Sequence, residues 1–278
     1  MNGELVAELG SRIVKAHPLA GGDINDAYAI ELANGERWFV KTRADAPLNM
    51  YAREAEGLSW LAEAGVLRTP KVRLVRPDCL VLELMTPASR SARFEEQLGR
   101  GLATLHAFGA PSFGLDVDNF IAVLPQRNAK ADTFAEFYRA QRLSPLARSA
   151  ADRGLLSARD LASFDALYAR LGALIPEEPP SRLHGDLWSG NVHVDEAGAP
   201  VLIDPAVYGG HREVDLAMLR LFGAPNARFF AAYDEVSPRA PGHEERVALF
   251  QLYPLLVHVN LFGASYVPQL RSALKRYA

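Results

Sequence analysis

The segment LHGDLWSGNVHVDEAGAPVLIDPA, residues 183–206, constrains this chain more than any other. It sets Asp186 and Asn191 in a polar stretch punctuated by Gly185 and Gly190, and then an apolar run over 201–203 ends on a second acid, Asp204. A short apolar run bounded by turn residues reads as a buried strand. A loop and a strand end therefore deliver two carboxylates and an amide to one neighbourhood. Any one of these residues is at home in a polar loop with Asx turns; the spaced set asks for a chemical explanation.

Four residues separate Asp186 from Asn191, the interval between Asp and Asn in the catalytic loop H-R-D-x-x-x-x-N of kinases. Phosphoryl transfer needs such a set. One carboxylate (Asp186) orients the attacking hydroxyl and accepts its proton, while an amide oxygen (Asn191) and a carboxylate (Asp204) hold Mg2+ against the phosphates of ATP. An independent signal lies upstream. Lys41 ends the strand-like stretch ERWFVKT, where an unpaired buried ammonium is costly. Glu54 shares a helical face with Tyr51, Leu58 and Leu61, so its carboxylate points inward as well. The two charges are explained if they pair and hold phosphate; the plainer alternative is that Lys41 snorkels to solvent and Glu54 marks the edge of the stripe. The turn LAGGDINDAY over 19–28 supplies Gly21, Gly22 and Ile24, where glycines let backbone N–H groups approach phosphate, although Gly-Gly-Asp is also an ordinary hairpin turn. It is neither a Walker A sequence nor a G-x-G-x-x-G fingerprint. Glu83, Leu84 and Met85 end the last strand of this region, where a chain crossing between lobes offers backbone groups to adenine.

The periodicities divide the chain. The first 85 residues read as strands with one helix: a hairpin over 17–33, strands over 36–42, 72–75 and 80–84, and a helix over 49–64. Beyond Met85 the pattern turns helical, with helices led by 94–108, 134–143 and 158–174, interrupted by strands over 183–204. The expected fold is therefore α+β and two-lobed, a small β-rich N-terminal ATP-binding lobe (1–85) and a larger, mainly helical C-terminal catalytic and acceptor-binding lobe (86–278). A formal charge of −3 points to neither nucleic acid nor an anionic membrane as partner. The single Cys79 closes no internal disulfide. The N-terminal residues lack a signal-peptide pattern, and the apolar stretch over 250–262 is too short and too interrupted to span a bilayer. The expected location is cytoplasmic.

Longer motifs resemble the fructosamine kinase (ketosamine-3-kinase) family, within the aminoglycoside and choline kinase superfamily of protein-kinase-like fold. They are GGDIND at 21–26, REAEGL at 53–58, LATLH at 102–106, FGLDVDNFIAVLPQRN at 113–128, HGDLWSGN at 184–191, YGGHREVDLAMLRLFG at 208–223 and LYPLLVHVNLFG at 252–263. The resemblance runs over essentially the whole chain. It implies transfer of phosphate from ATP, with Mg2+, to a hydroxyl, typically the 3-hydroxyl, of a ketose joined to an amine, free or protein-bound, and hence a role in deglycation. By position it implies Asp186 as proton acceptor, Asn191 and Asp204 as magnesium ligands, Lys41 and Glu54 at the phosphates, and residues 83–85 as the adenine hinge. Trp188 suits a sugar face, since an indole combines apolar area with a polar N–H, and His258 either lines the acceptor pocket or bonds a helix carbonyl in the core. The chain departs from the family at Ala122, where a glycine is expected, at Pro254 and Val257, where His and Asn are expected, and in lacking the usual Trp at 133–135.

Three other readings are open at this level. The chain could be a superfamily kinase for an aminoglycoside, choline or methylthioribose; a metal-dependent hydrolase using His184, Asp186, His193, Asp204 and His211; or a nucleotide-binding module without turnover. Of the remaining histidines, His106 falls where it can bond the last carbonyls of a helix, and His211 and Asp215 lie near a helix start.

Overall fold

The structure, a computed structural model, describes residues 3–19, 25–86, 88–223 and 225–277. The chain opens with α1 (Gly3–Leu9), β1 (Ile13–Pro18), β2 (Asp26–Leu32) and β3 (Arg37–Thr42), then α2 (Met50–Ala62), β4 (Val72–Val75) and β5 (Cys79–Glu83). The five strands form one antiparallel sheet in the order β1-β2-β3-β5-β4. Side chains alternate across a strand, and β5 shows why its first four residues are all apolar: Cys79 and Val81 pack with Leu5 and Leu9 of α1, while Leu80 and Leu82 pack with Met50, Tyr51 and Leu58 of α2. Both faces of the sheet are thus covered. Helix α1 corrects the expectation of a single helix in this region. Seven residues are too few for a stable isolated helix, and α1 exists because the sheet gives Leu5 and Leu9 a surface to bury against.

The larger part contains α3 (Phe94–Phe108), the hairpin β6 (Asn119–Ile121) and β7 (Leu124–Gln126), and α4 (Phe134–Phe137), which continues through a π-helical segment (Tyr138–Leu143) into α5 (Ser144–Asp152). After α6 (Ala158–Tyr168) and α7 (Leu171–Leu174) come β8 (Ser181–Leu183), β9 (Val192–Val194), β10 (Pro200–Leu202) and β11 (Tyr208–Gly210). Helices α8 (Glu213–Leu219), α9 (Ala227–Val236), α10 (His243–Phe262) and α11 (Val267–Leu274) complete it. The single helix expected over 158–174 is two, and the β6–β7 hairpin lies in a segment to which the periodicities assigned no strand. Helix α6 starts at a capping box, in which Ser157 and Asp160 each bond the other's backbone N–H.

The main core lies among α4, α5, α6, α8, α10 and α11. Pro254 sits inside α10 and cannot donate to the carbonyl of Phe250. The Tyr138 hydroxyl donates towards that carbonyl (3.3 Å) and that of Leu249 (2.9 Å) instead, so the interrupted ladder is satisfied from the π-helical segment. The helical run His243–Leu274 is long and apolar enough to cross a membrane by length and composition alone, more than the stretch 250–262 suggested, but most of its apolar window is buried inside the protein.

Candidate active site

Strand β8 pairs antiparallel with β11, Leu183 opposite Tyr208, and the chain then turns sharply towards Asp186. Gly185 makes the turn at φ 83°; a Cβ there would lie 2.0 Å from the carbonyl oxygen of Ala206, so no other residue fits. The turn is fastened from below by Asp215 of α8, which is fully buried. Its two carboxylate oxygens accept the N–H groups of His184 (2.8 Å) and Gly185 (2.9 Å). Asp215 also meets His106 Nε2 at 3.2 Å, and His106 Nδ1 lies 2.7 Å from the Tyr233 hydroxyl. His106 is therefore a buried link in the support of the loop, not a helix-end cap. His184 Nε2 lies 2.9 Å from the carbonyl of Ile203 and its Nδ1 accepts the Asp186 N–H at 3.3 Å, which ties the loop to the strand end that carries Asp204. Burial lowers the His184 pKa, against the Asp215 charge that raises it, in keeping with a neutral ring that donates from Nε2.

A cavity of about 440 Å³ is lined by Lys41, Glu54, Asp186, Trp188, Asn191, Asp204 and His258. Phe39 and Lys41 project from the same face of β3 as Leu80 and Leu82 do from β5, the face covered by α2. Lys41 Nζ there meets both oxygens of Glu54 at 3.0 Å and Asp204 Oδ1 at 3.0 Å. Lys41 and Glu54 are thus paired and largely buried, and the snorkelling alternative fails. Burial pulls the Lys41 pKa down, but the Asp204 and Glu54 carboxylates outweigh it and the net shift is upward. Burial acts upward on both acids. At Asp204 the Lys41 charge prevails and its pKa is lowered; at Glu54 the Asp204 charge adds to burial and the carboxyl is pushed up to about 7. Asp204 also takes a left-handed backbone, φ 52°, a conformation that costs energy outside glycine and collects at functional sites.

Asp186 accepts from Asn191 Nδ2 at 3.1 Å, and the same amide donates to the Asp186 carbonyl at 2.8 Å. Burial and the Asp204 charge push the Asp186 carboxyl up to about 7 despite that hydrogen bond. With Asn191 Nδ2 spent on Asp186, the amide oxygen is the atom left for a ligand. It and the Asp204 carboxylate are hard oxygen donors lining one cavity, a set that suits Mg2+, which binds few protein oxygens together with phosphates and water. Such an ion, when bound, offsets charge on the phosphates.

The far side of the cavity is aromatic. Trp188 meets Phe222 edge-on at 6.2 Å, Phe222 meets His258 at 4.9 Å, and His258 meets Tyr266 at 4.9 Å and Phe262 at 5.5 Å. His258 lines the cavity and also bonds the Pro254 carbonyl through Nδ1 (2.7 Å), so facing the cavity and bonding a helix carbonyl are not alternatives. Among the described lining residues the carboxylates are Glu54 and Asp204, both paired with Lys41, and Asp186, which accepts from Asn191. The floor rests on a buried polar network that sequence reasoning missed. Asn119, a lining residue, bonds the Val207 carbonyl (2.9 Å); Gln126 bonds Asn119 (2.8 Å) and Tyr253 (2.5 Å); and Asn128 joins Asn119 (2.8 Å) to Arg142 (2.7 Å). Fully buried Arg142 has the Tyr208 ring 3.9 Å away. Only the polar residues of the DNFIAVLPQRN motif hinted at this.

Glu83, Leu84 and Met85 do not line the cavity. The Glu83 carboxylate is paired with Arg68 and accepts the Lys71 N–H at 3.2 Å, and its own N–H is donated to the Lys71 carbonyl at 2.8 Å. Gly21, Gly22 and Ile24 lie outside the described residues. The hydrolase ligand set does not assemble: His184 is committed as above, His193 is exposed on β9, and the Glu213 N–H is donated to His211 Nδ1 at 3.2 Å. Among the described residues no cluster of three or more His, Cys, Asp or Glu is placed to hold a metal ion.

A small antiparallel sheet with one inward-facing helix, a helical body and a charged cleft between them define a kinase of protein-kinase-like fold. The choline kinase LicA of Streptococcus pneumoniae shares that fold, with a TM-score of 0.66 at 17% identity over 99% of this chain and 96% of its own. The chain itself belongs to the fructosamine kinase family, whose model matches residues 4–278, and it transfers phosphate to a hydroxyl. It is similar to a "Probable ketoamine kinase" of Lactiplantibacillus plantarum, 36% identical over 271 residues and 95% of each chain. It is also similar to a crystal structure described as a "putative fructosamine-3-kinase" from Thermobifida fusca, with a TM-score of 0.90 at 39% identity over 99% of this chain and 96% of that one.

Proposed function

We propose that this protein is an ATP- and Mg2+-dependent kinase that phosphorylates the 3-hydroxyl of a ketosamine such as fructosamine or ribulosamine, carried by a free amine or a protein lysine. In this reading residues 1–85 form the ATP-binding lobe and 86–278 the catalytic and acceptor-binding lobe, and the enzyme serves deglycation in the cytoplasm. Asp186 takes the proton of the acceptor hydroxyl, and burial has already raised its basicity towards neutrality. Lys41, held by Glu54, contacts phosphate; Asn191 and Asp204 hold the ion; Gly21, Gly22 and Ile24 cover the phosphates. Glu83, Leu84 and Met85 form the adenine hinge, and because the Glu83 N–H is already donated to Lys71, a main-chain donor to adenine comes from Leu84 or Met85. Trp188 and His258 receive the acceptor.

The observation that carries the acceptor class is the distribution of charge around the cavity. Among the described lining residues, the carboxylates are Glu54 and Asp204, both paired with Lys41, and the base Asp186, and the acceptor side is a wall of Trp188, Phe222, His258, Phe262 and Tyr266. A polycationic aminoglycoside needs acidic partners on that side, whereas a sugar face and one amine suit aromatic rings. The test is magnesium-dependent ADP release with fructosyl-, ribulosyl- and erythrulosyl-lysine, with kanamycin and choline as controls. Ketosamine-dependent turnover is expected, lowered by roughly two to four decades in Asp186→Asn, with phosphate found on the 3-hydroxyl. Turnover confined to a control acceptor would overturn the ketosamine reading, and near-normal turnover in Asp186→Asn would remove the base.

A further inference from the structure

The pair Lys41–Glu54 works only if α2 is held at a fixed place over the cleft, and the structure contains a device for holding it. Arg182, in the middle of β8, is buried (5% exposed) although it carries a charge. Its guanidinium reaches across to the C-terminal end of α2. There Nη1 donates to the Trp60 carbonyl and pairs with Glu63 Oε2 at 2.9 Å, while Nε bonds the Gly109 carbonyl at the end of α3 (3.4 Å). The Trp60 and Phe108 rings lie 4.3 and 4.5 Å from it. The last carbonyls of a helix lack intrahelical partners and carry the negative end of its dipole. One planar cation therefore satisfies the ends of two helices while stacking on an aromatic ring from each.

A second contact holds the middle of α2. A Cβ on Gly57 would lie 3.2 Å from Pro205 and 3.4 Å from Val207, in the segment just beyond Asp204, so the helix approaches that segment closely. Glu54 lies between this contact and the start of α2, about 9 Å along the axis from Trp60. Arg182 also lies two residues before His184, whose N–H is donated to Asp215. The strand that fastens α2 is thus the strand that delivers Asp186.

We propose that Arg182 is a positioning residue for phosphoryl transfer, which clamps the C-terminal end of α2 so that Glu54 holds Lys41 in place before any nucleotide arrives. A buried guanidinium is poor value as general stabilisation, because desolvation offsets most of its pairing; its forked, planar shape defines a geometry instead. The proposal rests on Lys41 and Glu54 acting at the phosphates, and the test separates the two claims. ADP release at varied ATP is measured for Arg182→Gln alone and with Glu54→Gln. If Arg182 acts through Glu54, Arg182→Gln lowers kcat/KM for ATP roughly ten- to a hundredfold but less than about twofold when Glu54→Gln is already present. Equal losses in both backgrounds, or no loss in the first, overturn the proposal and leave the role of Glu54 standing. Unchanged kcat/KM in Glu54→Gln alone overturns both. Glu63→Gln, at an exposed side chain, keeps the test decisive if Arg182→Gln does not fold. It should show a smaller loss, about two- to fivefold, that also vanishes beside Glu54→Gln, and no loss in it counts against the clamp.

Discussion

Ala122 has a left-handed backbone, φ 53°, at the first central position of the turn that joins Ile121 to Leu124. In two-residue hairpins with positive φ only at that position, glycine is the favoured residue. The departure from the family pattern noted at Ala122 is therefore a stored strain next to the cavity, not a neutral exchange. An alanine in this region costs about 1–2 kcal/mol, of which the greater freedom of glycine in the unfolded chain takes back part. Ala122→Gly is expected to raise stability by about 0.5–1 kcal/mol, read as a higher denaturation midpoint at unchanged m-value; a lower midpoint would show the alanine unstrained. Lys41 was legible for a related reason. A single cation in an apolar strand is conspicuous because an unpaired one is so costly, and its partners Glu54 and Asp204 are the consequence. Asp215 was not legible: an acid near a helix start has an ordinary local explanation, and only the path of the loop shows that both its oxygens are spent on main-chain N–H groups.

At the scale of elements, α6 shows how local and distant contacts combine. Its capping acid Asp160 also receives Arg271 of α11 through two hydrogen bonds of 2.8 Å. The Arg271 hydrogen bonds, and then Ser157, hold the Asp160 carboxyl well below the usual carboxylate range despite burial. A depressed folded-state pKa adds stability above the unfolded value, about pH 4, that is lost as the pH falls below it. Arg271 is half-exposed, so solvent screens the pair and the cap carries much of the effect. Asp160→Asn should cost about 1–2 kcal/mol at pH 7 and flatten the acid loss of stability below pH 4. A thermal-denaturation series over pH 2.5–7 with unchanged slope would exclude Asp160 as its source. Helix α2 was readable from its apolar stripe and from Glu54, whereas α1 and the β6–β7 hairpin were not. Short elements carry too few periods to register, and these are stabilised by what they cover.

For the molecule as a whole, the two lobes are joined by more than the connection after β5. Arg68, ahead of β4, pairs with Glu83 and, at 3.5 Å, with Asp195 and Glu196 in the β9–β10 turn, and Leu202 donates to the Arg68 carbonyl at 2.9 Å. With the Arg182 contacts and the packing of Gly57 on Pro205, these make the lobes stability partners. Thermal unfolding is expected as one transition, raised about 5 °C by MgATP at roughly a hundredfold its Kd. Two transitions, of which nucleotide moves only the first, would show lobes that unfold independently.

The sequence by itself determined the α+β class, the two-lobed division of strands and helices, and seven of the side chains that meet in the cleft: Lys41, Glu54, Asp186, Trp188, Asn191, Asp204 and His258. Lys41, Glu54, Asp186, Asn191 and Asp204 were legible because each combines a costly or unusual residue type with a placement that one chemistry explains, whereas Trp188 and His258 came from the family resemblance. Tertiary structure alone decided that His106 and Asp215 carry the loop, that Arg142 and three buried amides carry the cavity floor, and that Arg182 holds α2. Those residues act through partners up to 127 positions away, and no local period or motif records a contact that exists only when distant segments close on one another.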